Sequence, residues 1–288
     1  MKKIGLEKRH NLTGWAFLIP AALLIFVFCF YPMAQAILLS FRKTNGEFTG
    51  ISNYARILQD KTFQQCLFNT IFYFIIQVPI MLVLALGLAQ LLNSPHIKGK
   101  GIFRTLIFLP CATSLVSYSM IFKSLFAPDG VVNRVLTSIG GAPVDWFQST
   151  WPARWVIIIA LIWRWTGYNM VFYLAGLQNI EYSVYEAAKI DGANGWKTFW
   201  KITVPLLKPT IIMTFIMSIN GTLQLFDESM NLTKGGPANS TITMSHYVYN
   251  TCFVNVPNFG YAAAMSFIIF IMVAVLAFIN LKVGDTRD

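Results

Sequence analysis

Polar side chains inside long apolar segments are the residues of this 288-residue sequence best able to do chemistry. Such groups are costly within a membrane unless they face protein or a water-filled cavity. Aromatic rings and neutral amides could line a path for a polar solute, or the same groups could bond between helices. The candidates for such a path come from three apolar segments: Tyr118, Trp165, Gly167, Asn169, Met170, Asn220 and Gln224.

Catalytic and metal-binding patterns are missing from the sequence. It has no Gly-x-x-x-x-Gly-Lys-Ser/Thr phosphate loop, so ATP chemistry would have to reside on another chain. His10, His96 and His246 are far apart, no His–Glu or Cys–Cys spacing suits a metal, and no nucleophile stands beside a base. We therefore expect no catalytic residue, no metal site and no cofactor on this chain.

The composition is that of a polytopic membrane protein. Apolar residues make up 56% of the chain, charged residues 12%, and the mean hydropathy is +0.57. A soluble domain carries about twice that share of charge. The pattern excludes a soluble enzyme, a disordered chain and a small disulfide-rich module. A disulfide between Cys66 and Cys252 is possible, but no pattern supports it.

Six segments are long enough to cross a bilayer, which needs about 20 helical residues. The fifth is the weakest, since polar residues interrupt it. The first is too long for a signal-peptide core and has no cleavage site after it, so we expect it to remain. The predicted division is a tail over 1–14, a membrane domain over 15–283, and a tail over 284–288. The predicted spans are Trp15–Leu39, Leu67–Leu92, Phe103–Phe126, Trp155–Gln178, Thr210–Met230 and Phe259–Val283.

The distribution of lysine and arginine predicts the orientation. With the N-terminus inside, the inner tails and loops hold 13 of these residues and the longer outer loops hold 7. The positive-inside rule then places both termini in the cytoplasm. The net charge of +10 is better explained this way than by binding to nucleic acid.

The inner loop over 179–209 has a distinctive pattern. Ser183 followed by Glu186 predicts a capping box at the start of a short helix. Asp191 and Gly192 predict the end of that helix, because glycine tolerates a left-handed cap. A second short helix should then place Trp196, Phe199 and Trp200 on one face.

This loop resembles the EAA loop of permease subunits of ATP-binding-cassette (ABC) importers. The matching residues are Glu186-Ala-Ala, Asp191-Gly192-Ala, Ile202 and Val204-Pro205. Valine stands where leucine is usual before the proline, a conservative difference. Further motifs extend the resemblance to the carbohydrate-uptake (maltose-type) family, and in particular to its larger subunit type without the extra N-terminal spans and large outer domain. These motifs are Phe48-Thr-Gly-Ile-Ser-Asn-Tyr54, Asn69-Thr70, Leu109-Pro110, Thr233-Lys-Gly-Gly-Pro237 and Phe259-Gly-Tyr-Ala-Ala-Ala264.

The resemblance implies an all-α, six-helix permease of the type I ABC-importer architecture, located in the cell (inner) membrane. It implies that the 179–209 loop docks into a cytoplasmic ATPase dimer, which would bind Mg-ATP. It also implies a second permease subunit and an external solute-binding protein. The transported solute would be a sugar that contacts the path residues above. By resemblance, the contact with the ATPase is carried by Glu186, Ala187, Ala188, Asp191 and Gly192.

Three alternatives stay open at this point. A permease of the same superfamily for a polyamine or an anion is disfavoured by the neutral, aromatic character of the path. An ion-coupled transporter or channel would carry more charge at mid-depth than Arg164 and would show inverted repeats. An intramembrane enzyme has no catalytic residues to support it.

Overall fold

The computed structural model describes residues 6–95 and 97–284 as helices joined by loops. The remaining residues, which include His96 and parts of both predicted tails, lie outside this description. Apart from one isolated bridge between Arg42 and Phe48, the described residues contain no β-structure. The helices are α1 Leu6–Ile25, α2 Tyr31–Ser40, α3 Ser52–Gln59, α4 Lys61–Asn93, α5 Lys100–Ala112, α6 Leu115–Leu125, α7 Val131–Ser138, α8 Thr150–Gln178, α9 Tyr182–Ile190, α10 Gly195–Thr198, α11 Val204–Leu206, α12 Lys208–Leu223, α13 Met244–Tyr249 and α14 Phe259–Gly284.

Four helical stretches are long and apolar enough to cross a membrane, and the number rises to six if each of two bent helix pairs is one span. The continuous stretches are Thr13–Ser40, Lys61–Asn93, Thr150–Gln178 and Phe259–Lys282. The prediction of an all-α membrane protein is confirmed, with four to six candidate spans among the described residues. All four cysteines are free thiols.

One compact unit comprises residues 6–59 and 248–267. The segment after α2 is fastened to it by the Asn53 amide, which donates to the carbonyls of Ser40 (2.8 Å) and Arg42 (2.9 Å). The hydroxyls of Ser40 and Tyr54 are 2.7 Å apart. Asn53 and Tyr54 belong to a motif singled out in the sequence. Their hydrogen bonds hold the chain at the end of α2.

The second unit comprises residues 60–247 and 268–284, and its core lies between α4 and α8. Asp60 caps α4 by accepting from the amides of Thr62 (2.8 Å) and Phe63 (3.2 Å). Small side chains at Ala85 and Ala89 are fully buried against α8, which lets the two backbones approach closely.

The third predicted span is bent. Helices α5 and α6 meet at an angle of 98°. Pro110 lies in the last turn of α5, and Ser114 starts α6 by accepting from the amide of Ser117 at 3.3 Å. The proline disturbs the hydrogen bonding of the last turn and the serine cap begins a new helix, so the segment over 103–126 is not one straight helix.

The fifth predicted span also differs from its prediction. Helix α12 ends at Leu223, well before Met230, and bends by 67° from the preceding Gly195–Leu206 segment. Residues 224–226 are not helical, and a short helical segment then runs from 227 to 233. The polar side chains that weakened this span in the sequence mark the place where the helix breaks.

Candidate functional site

A cavity of about 360 Å³ opens in the second unit between α4, α8, α12 and the non-helical residues 224–226. Irregular backbone at membrane depth is tolerated where it lines a water-filled cavity or is buried in protein. The break after Leu223 therefore fits a wall that contacts a solute. The lining includes neutral amides, aromatic rings and three charged groups: Gln77, Trp165, Tyr168, Asn169, Asn220, Gln224, Phe226, Arg164, Asp227 and Glu228.

The cavity brings together four of the predicted path residues, Trp165, Asn169, Asn220 and Gln224. Asn169 donates to the Trp165 carbonyl at 3.0 Å, which orients its amide along α8. Gln224 donates to the side-chain oxygen of Asn220, and both residues are exposed. Two helices thus present amide groups and an indole ring to one space, an arrangement suited to hydroxyl groups and C–H faces.

The other three predicted path residues lie behind the cavity wall, and we assign them to packing. Tyr118 is fully buried and stacks on Trp163, with ring centroids 6.1 Å apart. A side chain at Gly167 would collide with the carbonyl of Ile107, so this glycine allows α5 and α8 to touch. Met170 is fully buried in the α4–α8 core.

Arg164 and Glu228 form a buried ion pair at one edge of the cavity. The guanidinium lies 3.5 Å from the carboxylate, and the side chains are 11% and 4% exposed. The guanidinium also lies over the Tyr118 ring at 5.2 Å from its centroid. Arg164 therefore has a structural role, since its pair with Glu228 joins the segment after the break of α12 to α8.

Gln77 is a lining residue that the sequence reasoning missed. It accepts from the Thr222 hydroxyl at 3.2 Å and so links α4 to α12 beside the cavity. Its amide nitrogen contacts Met81 Sδ at 3.1 Å. The signal that could have found it is a neutral amide inside an apolar span, as at Asn220 and Gln224.

The 179–209 loop consists of two short helical segments joined at a glycine. Helix α9 ends at Ile190 with Asp191 at its C-cap, and Gly192 has φ +71°. The amide of Ala193 donates to the Ala188 carbonyl at 2.9 Å, which closes the last turn. The hydroxyls of Tyr185 and Thr203 are 3.4 Å apart and tie the first segment to the second.

The predicted contact residues of this loop are mostly exposed. Four of them are exposed: Glu186, Ala187, Asp191 and Gly192. Ala188 is only 5% exposed and lies on the buried side of α9. The predicted capping box is wrong. The helix starts two residues earlier than a Ser183 cap allows, with Glu181 at the cap position, and Ser183 donates to the Glu181 carboxylate at 3.2 Å.

The loop over 229–246 is bonded to α4 and α8. Arg154 donates from Nε to the Ser240 carbonyl (2.9 Å) and from Nη2 to Asn69 Oδ1 (3.0 Å). The Asn69 amide donates to the Ile242 carbonyl at 2.9 Å. Asn69 belongs to one motif singled out in the sequence, and Ser240 follows another. In the structure both residues bond to Arg154.

His246, in the first turn of α13, is buried at the end of the same loop. Its Nδ1 lies 2.8 Å from the Ser229 hydroxyl, and that hydroxyl donates to the Thr241 carbonyl at 2.8 Å. Burial lowers the pKa of His246. Within residues 6–95 and 97–284, no group of three or more His, Cys, Asp or Glu could hold a metal ion.

Comparison with known proteins identifies the family. Residues 65–284 match the family described as binding-protein-dependent transport system inner membrane component. The chain is 51% identical over 290 residues to the lactose transport system permease protein LacF of Rhizobium radiobacter, covering 98% of this chain and 97% of the relative. It is 34% identical over 278 residues to the arabinooligosaccharides transport system permease protein AraP of Bacillus subtilis, covering 94% and 88%.

Solved structures agree on the fold. A chain of a bacterial ABC transporter involved in the import of the acidic polysaccharide alginate superposes with a TM-score of 0.87 at 22% identity, covering 98% of both chains. A second alginate transporter structure, in complex with its pentasaccharide-bound periplasmic protein, gives a TM-score of 0.86 at 22% identity and covers 97% and 96%. The predicted permease architecture is confirmed. This chain therefore belongs to the family of binding-protein-dependent transport system inner membrane components.

Proposed function

We propose that this chain is the membrane-spanning permease subunit of an ATP-driven importer that takes up a sugar delivered by a binding protein. The observation that carries the proposal is the cavity, where neutral amides and an indole ring meet at the break of α12. Lactose is the first substrate to test, because the relative with 51% identity is named a lactose permease. Arabinooligosaccharides and other short glycans are the next candidates, by the names of more distant relatives.

The chain works in this proposal as one half of a pore. A second permease subunit of similar fold completes the path, and both termini lie in the cytoplasm. ATP is bound with Mg²⁺ and hydrolysed by a partner ATPase dimer, and a solute-binding protein delivers the sugar on the outer side. The distribution of lysine and arginine supports the cytoplasmic placement of the termini. The periplasmic protein in the alginate transporter complex supports the solute-binding protein as a partner.

Transport follows from alternating access. Closure of the ATPase dimer pushes on the 179–209 loop, whose exposed Glu186, Ala187, Asp191 and Gly192 form the contact. The bond between Tyr185 and Thr203 makes the two short helices move together. The loop leads directly into α12, so a push on it displaces the cavity wall at Asn220 and Gln224.

The test is uptake of labelled lactose by the whole assembly in proteoliposomes, with the binding protein outside and ATP at the cytoplasmic face. We expect uptake to require both. Glu186→Lys should abolish uptake and the stimulation of ATP hydrolysis by substrate, because it reverses the charge at the proposed contact. The control is Glu181→Lys, which reverses the exposed acid at the N-cap of the same helix and should retain most activity.

Two outcomes would overturn the proposal. Uptake that continues without ATP would indicate an ion-coupled transporter or a channel. Normal coupling in Glu186→Lys would remove the loop from the contact with the ATPase.

A further inference from the structure

Three charged side chains line the cavity, and their arrangement leaves one negative charge uncompensated. Arg164 and Glu228 neutralise each other at 3.5 Å, and both are largely buried. Asp227 is exposed and lines the same cavity. Neither of the two ion pairs found among residues 6–95 and 97–284 includes it. The cavity therefore presents one carboxylate whose charge no neighbouring cation cancels.

The backbone around Asp227 is held while its carboxylate is left free for a ligand. Its carbonyl accepts from the Asn231 amide at 2.8 Å. The next residue, Glu228, is fixed by the pair with Arg164. Since the Glu228 side chain ties this segment to Arg164 of α8, the Asp227 carboxylate is held at the cavity that Asn220 and Gln224 also line. A defined position is what a specific contact requires.

We propose that Asp227 determines substrate specificity by accepting hydrogen bonds from the hydroxyls of an uncharged sugar and by repelling anionic sugars. This inference rests on the proposed function and names the chemistry of the same cavity. A carboxylate has two acceptor oxygens and so can bind two neighbouring hydroxyls of one sugar ring. Hydrogen bonds to a charged group are the stronger ones, and an anionic sugar would meet like charge without a free cation to offset it.

The experiment compares wild type with Asp227→Asn in the intact assembly in proteoliposomes, using lactose and its monodeoxy derivatives as probes. Asparagine keeps the size and removes the charge. We expect kcat/KM for lactose uptake to fall about 10-fold or more, as for the loss of a hydrogen bond to a charged group. The monodeoxy derivative that lacks the bound hydroxyl should be transported poorly by wild type and equally poorly by the variant. Both proteins use the same binding protein, so this difference belongs to the permease.

A second arm tests charge. Lactobionate, an anionic derivative, should inhibit lactose uptake more strongly in Asp227→Asn than in wild type. The control is Asp129→Asn, which removes an exposed carboxylate that does not line the cavity and should change neither result.

The other outcomes count against either the inference or the choice of substrate. Unchanged kcat/KM in Asp227→Asn, or the same loss for every deoxy derivative, would overturn it. If Asp227→Asn and Asp227→Ser both failed to assemble, the carboxylate would belong to the fold instead. Absence of lactose uptake by wild type would refute the choice of substrate in the proposed function, and the same comparison would then be made with arabinooligosaccharides and their deoxy derivatives.

Discussion

The guanidinium of Arg164 lies 3.5 Å from the carboxylate of Glu228, and this pair joins α8 to the segment that follows the break in α12. A buried pair adds little stability over an apolar pair of similar size, but removing one partner leaves an uncompensated buried charge. The cavity wall thus depends on both members being present together.

Arg164→Met should therefore destabilise the assembly by about 3–5 kcal/mol, and Arg164→Met combined with Glu228→Met should recover most of that loss. Denaturant unfolding and the yield of assembled complex measure both. Lys123→Met, which removes an exposed cation from α6, is the control and should have little effect. A double variant no more stable than the single one would show that the pair does not hold the wall.

Gly192 joins the two short helices with φ +71°, and nothing lies within 4 Å of a Cβ built there. Gly192→Ala adds only backbone strain, on the order of 1 kcal/mol, and should tilt the two segments. We expect ATP hydrolysis stimulated by substrate to fall severalfold. Gly195→Ala also has open space around its Cβ but lacks the left-handed backbone, so it should behave as wild type. Equal activity of the two variants would contradict a role for this angle.

Arg154 is 5% exposed and anchors the 229–246 loop by donating to the Ser240 carbonyl and to Asn69 of α4, which itself donates to Ile242 of the loop. Lysine cannot reproduce the planar fork, so Arg154→Lys should cost about 1–3 kcal/mol of stability. Arg134 also donates from Nε to a backbone carbonyl, that of Asp129 at 2.9 Å, but it is exposed. Arg134→Lys should stay within about 0.5 kcal/mol of wild type by the same thermal unfolding measurement. Similar losses of stability in Arg154→Lys and Arg134→Lys would refute the role of Arg154 as an anchor.

His246 predicts a pH dependence of stability. Burial lowers its pKa in the folded chain below the ordinary value of 6.5. The unfolded chain therefore binds a proton more readily, so this contribution is present above pH 6.5 and is lost as pH falls through the lowered pKa. The thermal midpoint of the complex should drop more between about pH 7 and about pH 5 in wild type than in His246→Gln. Parallel curves would contradict the assignment.

The sequence predicted the long apolar helices well, because hydropathy and length are enough to identify α4 and α8. It failed where the helix path changes. The fifth span is predicted to run to Met230, whereas the structure breaks it after Leu223, and Glu228 beyond the break pairs with Arg164. Pro110 is the sequence signal for the bend that follows α5.

The site was predictable in part for a similar reason. Asn220 and Gln224 stood out as amides in an apolar segment, and they do line the cavity. Gly167 and Met170 were inferred from the same stretch of α8, but only three-dimensional packing shows which side of that helix faces α5 and α4. Ser183 and Glu186 have the spacing of a capping box, yet Glu181 takes the cap position.

The most direct test of the account is whether the sugar occupies this cavity during transport. The four native cysteines would be replaced by alanine, cysteine introduced by Asn220→Cys or Gln224→Cys, and thiol labelling followed in the assembly trapped with ATP and vanadate. We predict that lactose delivered by the binding protein slows labelling at both positions and leaves the exposed control Ser138→Cys unchanged. Labelling unaffected by lactose, in an assembly that still takes it up, would contradict the account.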